Sequence, residues 1–196
     1  MFMRYGIRSI TMDDIARELG VSKKTLYHDF EDKNDLIERV IHFDMLQSRK
    51  FLEEVQRKEL DAIEEIFMIN GRIHQDRSRY SPTFFYDLKR YFPEIYMRWL
   101  EDKRQNMFSL IIGNLQKGKQ EGVYRKEIHD QTIGKLYMAR MEMLDSNEII
   151  EGHQALTAEF MQEIFTYHLH GICNENGLKA LAEFKEKPEN QQVKEI

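Results

Sequence analysis

Three observations predict an all-α fold for this chain of 196 residues. Apolar residues recur three and four positions apart through most of its length, which is the period of a helix face. Residues that cap helices stand at the heads of several of these stripes, Thr11, Ser22 and Ser81 among them. Pro82 and Pro93 fall where a proline opens a helix, in its first turn.

The most informative stretch runs from Thr11 to Phe30. Thr11, with Asp14 three residues on, makes a start resembling a capping box, and Met12, Ile15, Ala16 and Leu19 follow on one face. Gly20 can take the positive φ of a tight turn between helices, Val21 is apolar enough to plug the angle, and Ser22 caps the next helix. In that helix Leu26 and Phe30 face inward, leaving Lys23, Lys24, Thr25, Tyr27 and His28 to the outer faces. Two short helices joined in this way form a helix-turn-helix, a motif whose second helix enters the major groove of double-stranded DNA.

Ammonium and hydroxyl groups suit phosphate oxygens, because they bring charge or a single donor without demanding planar geometry. The DNA-contacting set expected on this basis is Thr11, Ser22, Lys23, Lys24, Thr25, Tyr27, His28 and Lys33, the last at the start of the following helix. The second helix holds no Arg, Asn or Gln, so bidentate contacts to guanine or adenine are not available from it. Specificity is expected instead from Lys24, Thr25 and His28, from thymine methyl contacts and from DNA shape.

Residues 5–36 resemble the signature of the TetR family of bacterial transcriptional regulators. The resemblance lies at Gly6, Thr11, Met12, Ile15, Ala16, Gly20, Val21, Ser22, Thr25, Leu26, Tyr27, Phe30, Lys33 and Leu36. Beyond this head it rests on length, helical pattern and the closing segment Gly171 to Gly177. It implies an all-helical homodimer with an N-terminal helix-turn-helix DNA-binding domain and a C-terminal helical bundle for ligand binding and dimerisation. It also implies repression relieved by a small molecule, at a roughly palindromic operator.

Members of that family carry a full first helix, whereas this chain begins Met1-Phe2-Met3-Arg4-Tyr5-Gly6. Phe2 reads as the last apolar anchor of such a helix. The start is then an internal methionine, a shortened chain or a numbering that omits a segment. Loss of the helix is expected to expose Ile15, Leu19 and Leu26, at about 1.5–3 kcal/mol for each large side chain left in water. A form extended upstream is expected to bind DNA more tightly.

The domain boundaries that follow are residues 1–45 for the DNA-binding domain, 46–185 for the effector-binding and dimerisation domain, and 186–196 for a polar tail. The net charge of −5 seems at odds with a nucleic-acid binder until it is divided along the chain. Residues 1–50 hold nine Lys and Arg against nine Asp and Glu, leaving 20 and 25 in the remainder. A neutral head with lysines gathered on one helix still meets phosphates, and the acidic excess keeps the rest off the DNA. No run approaches the roughly 20 apolar residues of a membrane span, and no export signal opens the chain, so a cytoplasmic location is expected. The single cysteine, Cys173, reads as a buried small hydrophobe.

Beyond the head, Lys33 to about Lys58 reads as one long helix with Ile37, Ile41, Met45, Ser48, Leu52 and Val55 along a stripe. It is expected to carry motion from body to head. Helices follow from about Asp61 to Arg79, from Ser81 and Pro82, and from Pro93 towards Lys119. Asp130 is expected to cap the next, with Ile133, Leu136, Tyr137, Met141 and Leu144 on its face, and a last long helix is expected from Gln154 to Ile172. The tail from Glu183 lacks apolar periodicity and is expected to fray.

Aromatic side chains crowd the middle of the chain, and most of them are ordinary core payload. The family resemblance sets an effector cavity among these helices, with Phe67, Phe85, Tyr86, Trp99, Met107, Met138 and Met141 as its candidate lining. Such a lining suits a small hydrophobic or aromatic effector rather than a sugar or phosphate. The last long helix is apolar over a wide arc. Met161, Phe165, His168 and Ile172 are its candidates for a four-helix dimer interface.

No metal or cofactor is expected. His168 and His170 stand two apart and point to nearly opposite sides of a helix, and His42, His74, His129 and His153 are scattered. No phosphate loop, nucleophile elbow or paired carboxylates in an apolar segment point to an enzyme. Two alternatives stay open: a DNA-binding dimer with a solid aromatic core and no effector, and, more distantly, an enzyme using the aromatic pocket.

Overall fold

The computed structural model describes residues 1–146 and 157–187. Helices account for the regular structure there: α1 (Phe2–Tyr5), α2 (Met12–Glu18), α3 (Lys23–Asp29), α4 (Lys33–Arg57), α5 (Ala62–Arg79), α6 (Pro82–Tyr91), α7 (Pro93–Gln120), α8 (Asp130–Ser146), α9 (Ala158–Ile172) and α10 (Glu175–Glu186). Among the described residues β pairing is confined to an isolated antiparallel bridge between Tyr124 and Cys173. His153, Gln154, Leu156 and the tail beyond Lys187 lie outside the described residues, as does the side chain of Leu144.

The chain divides into two compact units, Met1–Glu53 with Ile73–Asn106 and Glu54–Arg72 with Met107–Ile196. Helices α4, α5 and α7 each contribute residues to both.

In the first unit Met12, Ile15 and Ala16 of α2 and Leu26 of α3 are buried with Leu36, Ile37 and Ile41 of α4. Tyr80, Phe84, Leu88 and Trp99 belong to the same core. The short α1 and the loop after it add Phe2, Ile7 and Ile10 to this cluster. That corrects the expectation for Ile15 and Leu26: both are buried, in one cluster with the apolar residues of α1 and the loop after it. Leu19 is 63% exposed, as expected, but it sits at the C-cap of α2 beside the turn. Val21 is likewise exposed and does not plug the angle.

Helix α6 holds the head through main-chain bonds. The Ser81 amide donates to the Met3 carbonyl at 2.7 Å, and buried Asp87 accepts from the amides of Ile7 and Arg8, each at 2.8 Å. Asp44 of α4 is fully buried and accepts from the Tyr80 hydroxyl at 2.6 Å and the Trp99 indole at 2.8 Å. Lys103 and Arg79 stand 3.5 and 3.3 Å from the same carboxylate. Burial pushes the Asp44 carboxyl up, but these cations and donors outweigh it and hold the group below its ordinary value. Burial, with Asp44 beside it, keeps the Tyr80 hydroxyl protonated.

In the second unit a buried amide joins three segments. Asn114 donates to the Ala62 carbonyl at 2.8 Å and accepts from the Tyr124 hydroxyl at 3.0 Å, while Lys117 pairs with Glu65 at 3.0 Å and also donates to the Leu60 carbonyl. The Tyr124 ring lies flat against Gly118, where a Cβ would come within 2.1 Å of it. Phe67 stacks on Phe184 at 4.4 Å and meets Phe165 edge to face at 5.2 Å.

Two expectations need correction here. Asp130 is the first helical residue of α8, not its cap, and it pairs with Lys119. The chain from Glu183 does not fray at once, because α10 runs to Glu186 with Leu181 and Phe184 buried. Asn174 caps that helix by accepting from the Gly177 amide at 3.0 Å, and its own amide group donates to the Gly122 carbonyl at 2.9 Å. Cys173 is buried as expected, and burial pushes its thiol up to about 11.

Candidate nucleic-acid interface

The helix-turn-helix is built by local chemistry. Thr11 accepts from the Asp14 amide at 3.1 Å while the Asp14 carboxylate accepts from the Thr11 amide at 3.0 Å, a complete capping box at the start of α2. The Thr11 hydroxyl also donates to Asp14 at 2.6 Å, and these bonds hold the exposed carboxylate below its ordinary value. Gly20 adopts φ 66°, which a side chain would resist, and its amide closes on the Arg17 carbonyl at 3.2 Å. Ser22 then caps α3 by accepting from the Thr25 amide at 3.0 Å. Phe30 ends α3 in extended backbone, so α4 can start in a new direction at Lys33.

Only Leu26 of α3 is buried; Lys23, Lys24, Thr25, Tyr27 and His28 are all exposed. The helix is therefore anchored by a single core residue and Phe30 behind it, and it presents the remainder of its surface outward. Lys23 reaches back to Asp13 of α2 at 2.7 Å, a hydrogen-bonded pair that raises its pKa, and its ammonium lies 5.9 Å from the Tyr27 ring centroid. Lys24 makes no ion pair with any described residue. Ser22 and Thr25 share a hydroxyl bond at 2.7 Å, and His28 Nδ1 lies 3.1 Å from Asp29. Lys33 lies over the Phe2 ring at 5.9 Å, partly buried, and burial lowers its pKa.

Seven of the eight expected residues thus stand on the α2–turn–α3 module, and Lys33 stands at the start of α4 against α1. Asp13 is not legible from the sequence as the partner of Lys23. The two residues lie ten apart, and only the crossing of α2 and α3 brings them together.

The other expected sets are distributed between the units. Phe85, Tyr86 and Trp99 belong to the first, where Trp99 is buried, Tyr86 is 58% exposed, and Phe85 meets Trp99 at 5.7 Å. Phe67, Met107, Met138 and Met141 belong to the second, all half-buried. Met161, Phe165 and Ile172 of α9 are buried within their own unit, and His168 packs on Tyr137 at 4.8 Å. Among the described residues no group of three His, Cys, Asp or Glu could hold a metal ion, and no helix is long and apolar enough to cross a membrane.

A small capped helix pair with a solvent-facing second helix of lysine, tyrosine and histidine defines a helix-turn-helix DNA-binding protein. Residues 1–40 match the family described as bacterial regulatory proteins, tetR family. The match covers the DNA-binding head, and the curated relatives that the chain resembles over more of its length are transcriptional regulators rather than enzymes. It is 23% identical over 165 residues to the HTH-type transcriptional regulator YvaF of Bacillus subtilis, covering 84% of this chain and 86% of that one. It is 21% identical over 131 residues to the HTH-type transcriptional repressor KstR2 of Mycobacterium tuberculosis, covering 65% and 66%.

The fold recurs in solved structures. That of the ketosteroid transcriptional regulator KstR2 of Mycobacterium tuberculosis superposes with a TM-score of 0.56 at 19% identity, over 89% of this chain and 90% of the other. A protein of Saccharomonospora viridis crystallised in complex with choline superposes with a TM-score of 0.64 at 16% identity, over 89% and 92%. Members of the family bind DNA and act as dimers.

Proposed function

We propose that the chain is a cytoplasmic repressor that binds a near-palindromic operator as a homodimer and is released from it by a small, largely apolar organic effector. The observation that carries the DNA half is α3 itself, held by Leu26 and otherwise turned to solvent. In this reading Lys24, Lys23 and Lys33 meet phosphates, Ser22, Thr25 and Thr11 hold the two helices in register through their caps, and Tyr27 and His28 approach base edges and methyl groups. Two copies related by a two-fold axis would set their α3 helices about one helical turn of DNA apart, or a multiple of it.

The effector half is supported by the similar proteins, one described as a ketosteroid regulator and one bound to choline, both organic molecules of small size. The candidate lining divides between the units, and its share in the second, Phe67, Met107, Met138 and Met141, is the reading to be tested. For the dimer, Met161, Phe165 and Ile172 are committed to their own unit. The face of α9 proposed to meet a second copy is the adjoining one, with Ile164, Tyr167 and Gly171 at helical spacing and Tyr167 81% exposed.

The test challenges an operator complex with a panel of neutral apolar and aromatic compounds while thermal unfolding is followed in parallel. At least one compound is expected to raise the melting temperature and release the DNA, since binding to the folded state alone stabilises it. A panel that shifts neither would favour a DNA-binding dimer without an effector.

A further inference from the structure

Arg140 of α8 carries the charge that the fold of the second unit least explains. Its guanidinium lies 4.3 Å from the centroid of the Tyr137 ring, and Nη1 donates to the Ile164 carbonyl at 3.2 Å. Among the described residues no carboxylate stands against it. Its Nε and His168 Nε2 are buried without a hydrogen-bonding partner among the described residues, and the buried Tyr137 hydroxyl has the Arg140 guanidinium as its polar neighbour. The Tyr137 and His168 rings meet edge to face at 4.8 Å, so these groups form one cluster, and Tyr137 itself is 1% exposed. A buried charge without a counter-charge and buried polar atoms without partners both oppose folding, so side chains that served only to pack α8 on α9 would do so better as hydrocarbons.

The protonation states define what the cluster can receive. Burial keeps the Tyr137 phenol protonated, and burial with Arg140 alongside pushes His168 down to about 3, so the imidazole is neutral. What remains is one positive charge on a planar fork, a phenolic donor and a neutral ring. That set matches a monoanionic carboxylate, which takes paired N–H donors from arginine, better than a phosphate, whose second charge no further cation in the cluster meets. The adjoining surface of α8 is apolar. Gly134 and Met141 share a face with Tyr137, and α7 comes so close at Gly134 that a Cβ there would stand 2.8 Å from Ile112 and 3.0 Å from Phe108.

We propose that Arg140, Tyr137 and His168 receive the carboxylate of an apolar organic acid whose hydrocarbon lies along Met141. This rests on the effector reading above and gives that effector a chemical class. A carboxylate of a second copy is the competing occupant, and the test separates the two.

Calorimetric titration of the full chain with sodium octanoate and with octanamide compares the same hydrocarbon with and without the charge. Octanoate is expected to bind at least tenfold more tightly than the amide. Arg140→Gln is expected to erase that difference, and Tyr137→Phe, which keeps the ring, to weaken octanoate severalfold; a cooperative melt of each variant reports that it folds. Equal affinity for acid and amide in the wild type, no octanoate binding, or an acid preference that survives Arg140→Gln would each overturn the proposal. Absence of octanoate binding together with an Arg140→Gln protein that sediments as a monomer would assign the arginine to a second copy. Release of operator DNA by a neutral apolar compound alone would leave the effector reading standing while the carboxylate site fell, whereas release by neither class would remove the effector reading itself.

Discussion

Asp87 on α6 accepts a hydrogen bond at 2.8 Å from the amide of Ile7, 80 residues earlier in the chain, and the same oxygen takes the Arg8 amide at 2.8 Å. Gly6 makes the approach possible. At φ 86° it carries no side chain, and a Cβ there would lie 2.6 Å from Thr83 Cγ2 and 3.1 Å from the Asp87 carboxylate. A carboxylate that is 4% exposed and serves two main-chain donors is expensive to remove. Asp87→Ala is expected to destabilise the protein by about 3 kcal/mol in urea unfolding, and Asp87→Asn, which keeps an acceptor oxygen, by about half as much. An unchanged urea midpoint for the alanine variant would show that the clasp contributes nothing.

The Asp44 site gives a pH dependence with a definite sign. Its folded carboxyl is held below the ordinary 3.8, so its contribution is present at neutral pH and above, and is lost as pH falls through the folded value. The wild type is therefore expected to lose stability below about pH 4. Asp44→Asn is expected to be less stable at pH 7, by about 3 kcal/mol, because Lys103 and Arg79 lose their counter-charge. It is also expected to show a shallower fall between pH 4 and pH 2, read from thermal melts at each pH. A variant that tracked the wild type through that range would remove Asp44 as the source.

Two glycines make opposite predictions. At Gly177 a Cβ would lie 2.0 Å from the Val123 carbonyl oxygen, so Gly177→Ala must push main chain apart and is expected to cost about 1–3 kcal/mol. At Gly113, exposed on α7, a Cβ meets nothing within 4 Å, and Gly113→Ala is expected to stabilise by about 0.5–1 kcal/mol through helix propensity. Calorimetric melts of both variants compare them directly. Shifts of the same sign would contradict the close packing at Gly177.

Lys23 is tied to Asp13 at 2.7 Å on the surface proposed to face DNA. Asp13→Asn frees that ammonium for phosphate and removes a nearby negative charge. Affinity for DNA is expected to rise severalfold, with the salt dependence steepened by up to about one counterion. Weaker binding would mean that the pair positions α3 rather than competing with the DNA.

The head could be read closely from the sequence because its instructions are local. Thr11 with Asp14, Gly20 and Ser22 each act within three or four residues, and all adopt the expected roles. The start of α4 at Lys33 and of α6 and α7 at Pro82 and Pro93 were legible for the same reason. The buried acids were not. Asp44 and Asp87 look like ordinary helical charges until the fold brings their partners from 36 to 80 residues away. Helix α10 was hidden by its polar composition, since only Leu181 and Phe184 reach the core and the stacking partner of Phe184, Phe67, belongs to α5. On α9 the periodicity identifies an apolar helix, but which of its sides packs within the unit depends on neighbouring helices, and Met161, Phe165 and Ile172 are buried there.

The central claim is that α3 reads DNA, and the most direct measurement is a fluorescence-anisotropy titration of DNA from upstream of the gene across a series of salt concentrations. It compares the wild type with Lys24→Ala and Tyr27→Ala. The account predicts saturable binding to one site that weakens as salt rises. Lys24→Ala should lower affinity and reduce the salt slope by about one, while Tyr27→Ala should weaken binding with little change in slope. Binding indifferent to both substitutions, with the wild-type slope retained in each, would contradict it.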